Sequence, residues 1–288
     1  DLGKSWTHTG RTLIKDVAPD GVTLNRCANP GISYNPLTGR AWAVISWFAR
    51  DGSGAFGLKA IYRDDADGKW RGPQGEFAVG GGLANSYNLS NLTQAGWKRI
   101  LYGPGAGDVG TDGKLYFPFW YDHPQGSEYG TGVARLNDDG SATPVWYGGL
   151  FDDIVGEPEL VALQNGRIRL GLRQRTIYFY ARHILEIEIN GDVGTLVAHW
   201  IDQGLPDPHC EGSITRLSGK GDGKPSRLVF VNNNSTTERK RLTARISYQE
   251  GAKGSWSAPG PLWPDSEVAT TDILGQPLSA PVRIEHTG

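Results

Sequence analysis

The chain has 288 residues and a formal net charge of −2, its 29 Lys and Arg interspersed with 31 Asp and Glu. That balance gives no basic footprint for nucleic acid, and no apolar run approaches the length of a membrane-spanning helix. With 41 Gly, 10 Trp, no Met and no helical apolar period held over three turns, the composition favours an all-β fold.

The opening DLGKSW, residues 1–6, reads as a tight turn with a Trp placed to pack beneath it. Because the chain starts inside this motif, any leader is expected to be gone or to lie upstream. Short strand-type runs bounded by Gly, Pro, Asn or Asp follow at 41–47 (AWAVISW) and 58–62 (LKAIY). DADGKW at 65–70 then repeats the opening turn. In such a turn an acidic or amide side chain bonds the backbone N–H groups, Gly supplies positive φ and the indole buries against the next strand. Residues 71–96 are polar and Gly-rich, with three glycines at 80–82, and predict a long loop over the mouth of a site.

Further strands are predicted at 115–120 (LYFPFW), 176–180, 183–189, 228–231 and 243–248, with a polar surface turn at 220–226. The turn recurs at 137–146 (NDDGSATPVW) and 247–256 (SYQEGAKGSW). Between these lies EPELVALQNGRIRLGLR, residues 157–173: two apolar runs joined by Asn165-Gly166, a hairpin pattern. Glu157 opens its first strand and Arg173 closes its second, so a carboxylate and a guanidinium should meet at one rim of the sheet. A surface ion pair flanking a hairpin is the plain alternative. Short strands with a repeated turn predict a β-propeller, a two-sheet sandwich being the alternative. No linker divides the chain, so one domain over 1–288 is expected.

The two cysteines, Cys27 and Cys210, read either as a disulfide or as two buried thiols. The sequence carries no metal-ligand spacing and no phosphate-cradling loop, so neither a metal nor a cofactor is expected.

Taken together, these residues resemble the sialidases, the exo-α-neuraminidases of the six-bladed type. DLGKSW and its echoes look like the Asp-box, and 102–120 resembles the family's GPG-containing strand pair. LPDPHCEGSITRL at 205–217 resembles a Cys-Gln-Gly-Ser-Ile stretch, and 228–251 resembles a strand pair that carries an arginine. The hairpin at 157–173 matches the family's Glu-containing hairpin. The resemblance runs in order over nearly the whole chain and implies an all-β, six-bladed β-propeller.

The resemblance also implies roles. Glu157 corresponds to the glutamate that activates the nucleophile, and Arg173 and Arg239 to two of three arginines that clamp the substrate carboxylate. The implied activity is release of terminal sialic acid, or a related 2-keto sugar acid, from glycans by a retaining mechanism. The implied partner is a sialylated or other acidic glycan, in a secreted or periplasmic setting. A silent acidic-glycan-binding propeller, or a propeller enzyme for another polysaccharide, are the alternatives.

The pattern breaks in places. The family's first arginine and its acid/base Asp lie ahead of the first Asp-box, so the first blade is expected to be largely missing here. The nucleophilic Tyr falls at Thr270, in Thr270-Thr271-Asp272-Ile273, with Glu285 closing that motif. Asp51, in an Ala-Arg-Asp context at 49–51, is a stand-in candidate for the acid. Asp108 is a candidate pocket residue, or else the turn residue its neighbours suggest. Arg26 is a candidate third cation, and Glu211 replaces a Gln and changes the pocket's charge.

Overall fold

The computed structural model describes residues 14–17, 23–94, 96–122, 129–149, 155–174, 180–218, 226–239, 241–261, 268–271 and 277–283. Four antiparallel sheets follow one another along the chain. The first is built from β1 (Arg26–Asn35), β2 (Arg40–Phe48), β3 (Phe56–Asp64), β4 (Trp70–Gly72), β5 (Gly75–Glu76) and β6 (Tyr87–Asn88). The second holds β7 (Ile100–Tyr102), β8 (Asp108–Val109), β9 (Leu115–Asp122), β10 (Tyr129–Leu136) and β11 (Ala142–Gly149). The third is β12 (Val155–Ala162), β13 (Ile168–Gln174), β14 (Ala181–Asn190) and β15 (Val193–Pro206). The fourth is β16 (Ser213–Ser218), β17 (Arg227–Asn233), β18 (Leu242–Ser247) and β19 (Gly260–Pro261). A hairpin, β20 (Val268–Thr271) and β21 (Pro277–Arg283), completes the described strands. Two single 3-10 turns are the helical content among the described residues, and none of it is long or apolar enough to cross a membrane.

The core lies in the seams between successive sheets. Trp42, Val44 and Leu58 of the first sheet pack against Ile100, Phe117 and Phe119 of the second. Tyr116, Val133 and Val145 then meet Leu160, Leu170 and Leu185 of the third. Val161, Ile184 and Leu205 in turn meet Ile214, Leu228 and Phe230 of the fourth. A sheet with covers on both faces needs apolar residues on both, and β9 is buried along all but its last residue. Pro118 sits in the middle of this central strand, where its missing N–H should break the ladder. It does so where the neighbour already departs: Gly103 N–H donates to Pro118 O, and 103–107 swings away between β7 and β8.

The expectation of an all-β propeller is met at the level of blade-like sheets, but the described residues form four of these, not six. In three of the turn echoes the glycine, at 68, 140 or 251, has positive φ. The accompanying Trp70, Trp146 and Trp256 each pack on a core cluster. The first copy, at 1–6, lies outside the described residues, as do 176–179 and nearly all of 220–226.

The 71–96 segment is not a lid. It forms short strands and the two 3-10 turns, and it drives Leu89 and Leu92 into the first seam. Isolated leucines in polar sequence anchor a connection where no periodicity announces it. The cysteines also differ from expectation: both are free, Cys210 buried and Cys27 exposed.

Because the seams carry the core, removing a buried side chain from one should destabilise the whole array. Leu170→Ala, at a fully buried site in the second seam, is expected to cost about 2–5 kcal/mol. Urea denaturation followed by Trp fluorescence reads this as a lower midpoint at unchanged slope.

Candidate functional site

β12 and β13 form the predicted hairpin, and its register explains the site. Gly156 pairs with Arg173 and Glu159 with Gly171, so one extra residue bulges out between them. Without the bulge, Glu157 and Glu159 would share a face, since side chains alternate along a strand. With it, Glu157 adopts φ +48°, rare for a residue bearing a Cβ, and faces the pocket. Glu159 turns into the interior, with no side-chain exposure. A left-handed glutamate costs on the order of 1–3 kcal/mol and persists only where its surroundings impose it. Here the 103–107 loop of the second sheet imposes it: a Cβ on Gly103 would lie 2.1 Å from Pro158 O.

The pocket holds about 260 Å³ and is lined by Glu157, Arg173, Cys210, Glu211, Asn233 and Arg239. It straddles the seam between the third and fourth sheets. Arg173 donates through Nη1 to Glu157 Oε2, and both side chains are mostly shielded. Arg239 reaches in from the loop after β17 and donates from Nη2 to His209 O at 3.3 Å. The Cys210 thiol donates to Asn233 Oδ1 at 3.2 Å, and burial pushes its pKa up, so it stays a thiol. Glu211 is exposed at the rim. Its carboxyl is raised above the usual range by partial desolvation and then by Glu157, against the pull of Arg173, Arg182 and Arg239.

Behind the pocket lies a buried ionic group. Arg182 has no side-chain exposure and sits 3.2 Å from Asp207 Oδ2 and 3.6 Å from Glu159 Oε2. Asp207 also accepts the Cys210 backbone N–H at 3.0 Å, which fixes the segment leading to Glu211. Two acids then share one base. Burial pushes the Glu159 carboxyl up to about 7, opposed by Arg182 and reinforced by Asp207. Protonating Glu159 leaves Arg182 and Asp207 as a neutral pair, the cheaper state in a dry interior. The chain makes room for the guanidinium at Gly212, where a Cβ would lie 2.1 Å from Arg182 Nη2.

Of the residues picked out in the sequence, the structure brings Glu157, Arg173, Arg239 and Glu211 together. Asp51 and Asp108 are not among the lining residues. Asp51 is exposed between β2 and β3 and accepts the Ser53 N–H at 2.9 Å, a turn interaction in the first sheet. Asp108 accepts the Val109 and Ala162 N–H groups at 2.8 and 2.9 Å. Ala162 pairs with Ile168, at the end of the hairpin away from Glu157, so Asp108 ties two sheets at the opposite rim. Arg26 is exposed at the start of β1, outside the lining. Thr270 lies in β20, while Asp272, Ile273 and Glu285 fall outside the described residues.

Sequence reasoning missed Cys210 and Asn233 as lining residues, and the Glu159–Arg182–Asp207 group entirely. A larger cavity of about 450 Å³ opens at the opposite rim among the turns near 112, 166 and 190. It mixes charges of both signs already engaged with one another, such as Arg167 with Glu188, so size does not select it over the smaller pocket. Among the described residues no cluster of His, Cys, Asp and Glu is placed to hold a metal.

Four sheets stacked along seams, with a polar pocket at the rim of one seam, define a β-propeller. By sequence and by fold, the chain is similar to sialidases. It is 30% identical over 164 residues to an exo-alpha-sialidase of Aspergillus fumigatus, covering 56% of this chain and 35% of that protein. A 51-residue stretch is 49% identical to an exo-alpha-sialidase of Arthroderma benhamiae, covering 18% of this chain and 12% of the relative. A Hadza microbial sialidase superposes with a TM-score of 0.66 at 20% identity, over 88% of this chain and 49% of that one. The Trypanosoma rangeli sialidase gives a TM-score of 0.53 at 16% identity, over 84% and 43%. The chain thus spans 35% of the Aspergillus relative and 49% of the Hadza structure. No protein-family model matches it.

The buried group generates two predictions. Arg182→Met leaves Asp207 buried without its cation and should cost about 3–5 kcal/mol in chemical denaturation. Glu159 is raised in the fold, so its contribution is complete below the ordinary glutamate range and is lost as pH climbs through about 7. The melting temperature of the parent chain should therefore fall relative to Glu159→Gln between about pH 5 and about pH 8. Parallel melting curves across that range would show that Glu159 does not titrate there.

Proposed function

We propose that this chain carries the anion-gripping part of a sialidase-type glycoside hydrolase site. Arg173 and Arg239 hold the carboxylate of a terminal sialic acid or related 2-keto sugar acid, and Glu157 serves as proton acceptor beside it. The observation that supports this best is the convergence of the three side chains, from two sheets, on one pocket. A planar guanidinium offers paired donors that match a carboxylate, and two of them in a half-dry cleft bind it with charge-assisted bonds. Such a substrate bears its charge on the reacting carbon, which disfavours a carboxylate nucleophile, and sialidases use Tyr instead. A neighbouring glutamate takes the phenol's proton. Glu157 is already oriented for this by its bond to Arg173.

The retaining course, through a covalent glycosyl intermediate, belongs to this proposal and requires a phenolic nucleophile. The same reading takes 1–288 as one sialidase-like β-propeller domain, in a secreted or periplasmic protein. A second reading, an acidic-glycan-binding propeller without turnover, is favoured by Thr270 at the position matched to the nucleophile, because an aliphatic hydroxyl does not ionise as a phenol does.

A fluorogenic sialoside separates the two. Turnover by the parent chain, lowered about 10- to 100-fold in kcat/KM by Arg173→Ala or Arg239→Ala, is the expected result. Parent rates in both variants would overturn the anion grip. Binding without turnover would select the second reading.

A further inference from the structure

We propose that Glu211 is a specificity-determining residue of this pocket: its carboxyl sets the pocket's net charge and so restricts tight anion binding to mildly acidic conditions. The inference rests on the anion-gripping reading above and adds the residue that tunes it.

The geometry comes first. Glu211 lines the same cleft as both guanidiniums and Glu157. Its place is fixed from behind, since Asp207 holds the backbone N–H of the preceding residue and is itself held by Arg182. The charged and titratable groups around it are Glu157 on β12, Arg173 on β13, buried Arg182 on β14, the adjoining Cys210 and Arg239 from the loop after β17. Glu157 is already matched by its ion pair with Arg173. That leaves Arg239 as the lining cation not paired to a carboxylate in the lining, its bond being to the His209 carbonyl. Ionised Glu211 cancels that charge within the pocket, whereas protonated Glu211 leaves it for a ligand.

The direction of titration agrees. Partial desolvation and the nearby Glu157 hold Glu211 protonated to higher pH than a free glutamate. An incoming carboxylate meets a cationic cleft below that transition and a neutral one above it. Glutamine at this position would keep the cleft cationic throughout. Glutamate therefore selects against anions as pH rises, and most strongly against dianions, whose repulsion from a carboxylate is doubled.

The test is calorimetric titration of the full chain with free N-acetylneuraminic acid, whose own carboxyl stays ionised throughout, from about pH 5 to about pH 8. The parent chain should lose about three- to tenfold in affinity across that range, and Glu211→Gln should hold nearly constant and bind more tightly at the upper end. Thermal melts of both proteins at each pH establish that the folded state is being compared. An equal pH slope in parent and Glu211→Gln, or no slope in the parent, overturns the role of Glu211 while leaving the anion grip standing. If neither protein binds at any pH, the anion-gripping reading fails and this inference fails with it.

Discussion

A fully buried guanidinium tolerates few arrangements around it, and that of Arg182 organises much of this molecule. Leaving it unmatched would cost several kcal/mol, and the chain brings two acids to it from two directions. Glu159 comes from β12, the first strand of the third sheet, and Asp207 from the segment after β15. On another side the guanidinium lies 5.6 Å from the centre of the Phe230 ring in the fourth sheet. One charge thereby fixes strand, connection and neighbouring blade with respect to each other, and everything that lines the pocket hangs from those elements.

The bulge at Glu157 is the second constraint and depends on the first. Because Glu159 is committed to the interior, the strand needs one surplus residue for Glu157 to reach the cleft beside Arg173. The left-handed backbone there is strain that the fold bears, and it places a carboxylate in the cleft. The 103–107 loop of the second sheet, pressed against Pro158, is the brace that keeps it so.

Much of this could be read from residues alone, and the exceptions have physical causes. Apolar runs such as LYFPFW announced strands, and Asn165-Gly166 announced the hairpin whose ends meet at Glu157 and Arg173. Arg239 was found through its ordered surroundings, although the charged cluster around it reads as solvated. Glu159 was hidden because a bulge is a register event, and a Glu-Pro-Glu string does not say which carboxylate turns inward. Asp108 was placed near the wrong rim because a strand pattern carries no indication of which end faces the cleft. Asp51 lost its candidacy to the short-range bond with Ser53, a local interaction that competes with any longer reach. The count of sheets was the coarsest miss, since repeated turns reveal the unit more readily than the number of units in the described chain.

The pocket's position across a seam has a mechanical consequence. Its two arginines are mounted on adjacent blades, so the gap between them is a caliper reading of how thickly Val161, Leu205, Ile214 and their neighbours fill the space below. A captured carboxylate would act as a clasp, lending its binding energy to the cohesion of the two blades. On the anion-gripping proposal, swelling or thinning that filling by a single methylene would alter the grip from a distance, with every residue that lines the pocket left in place.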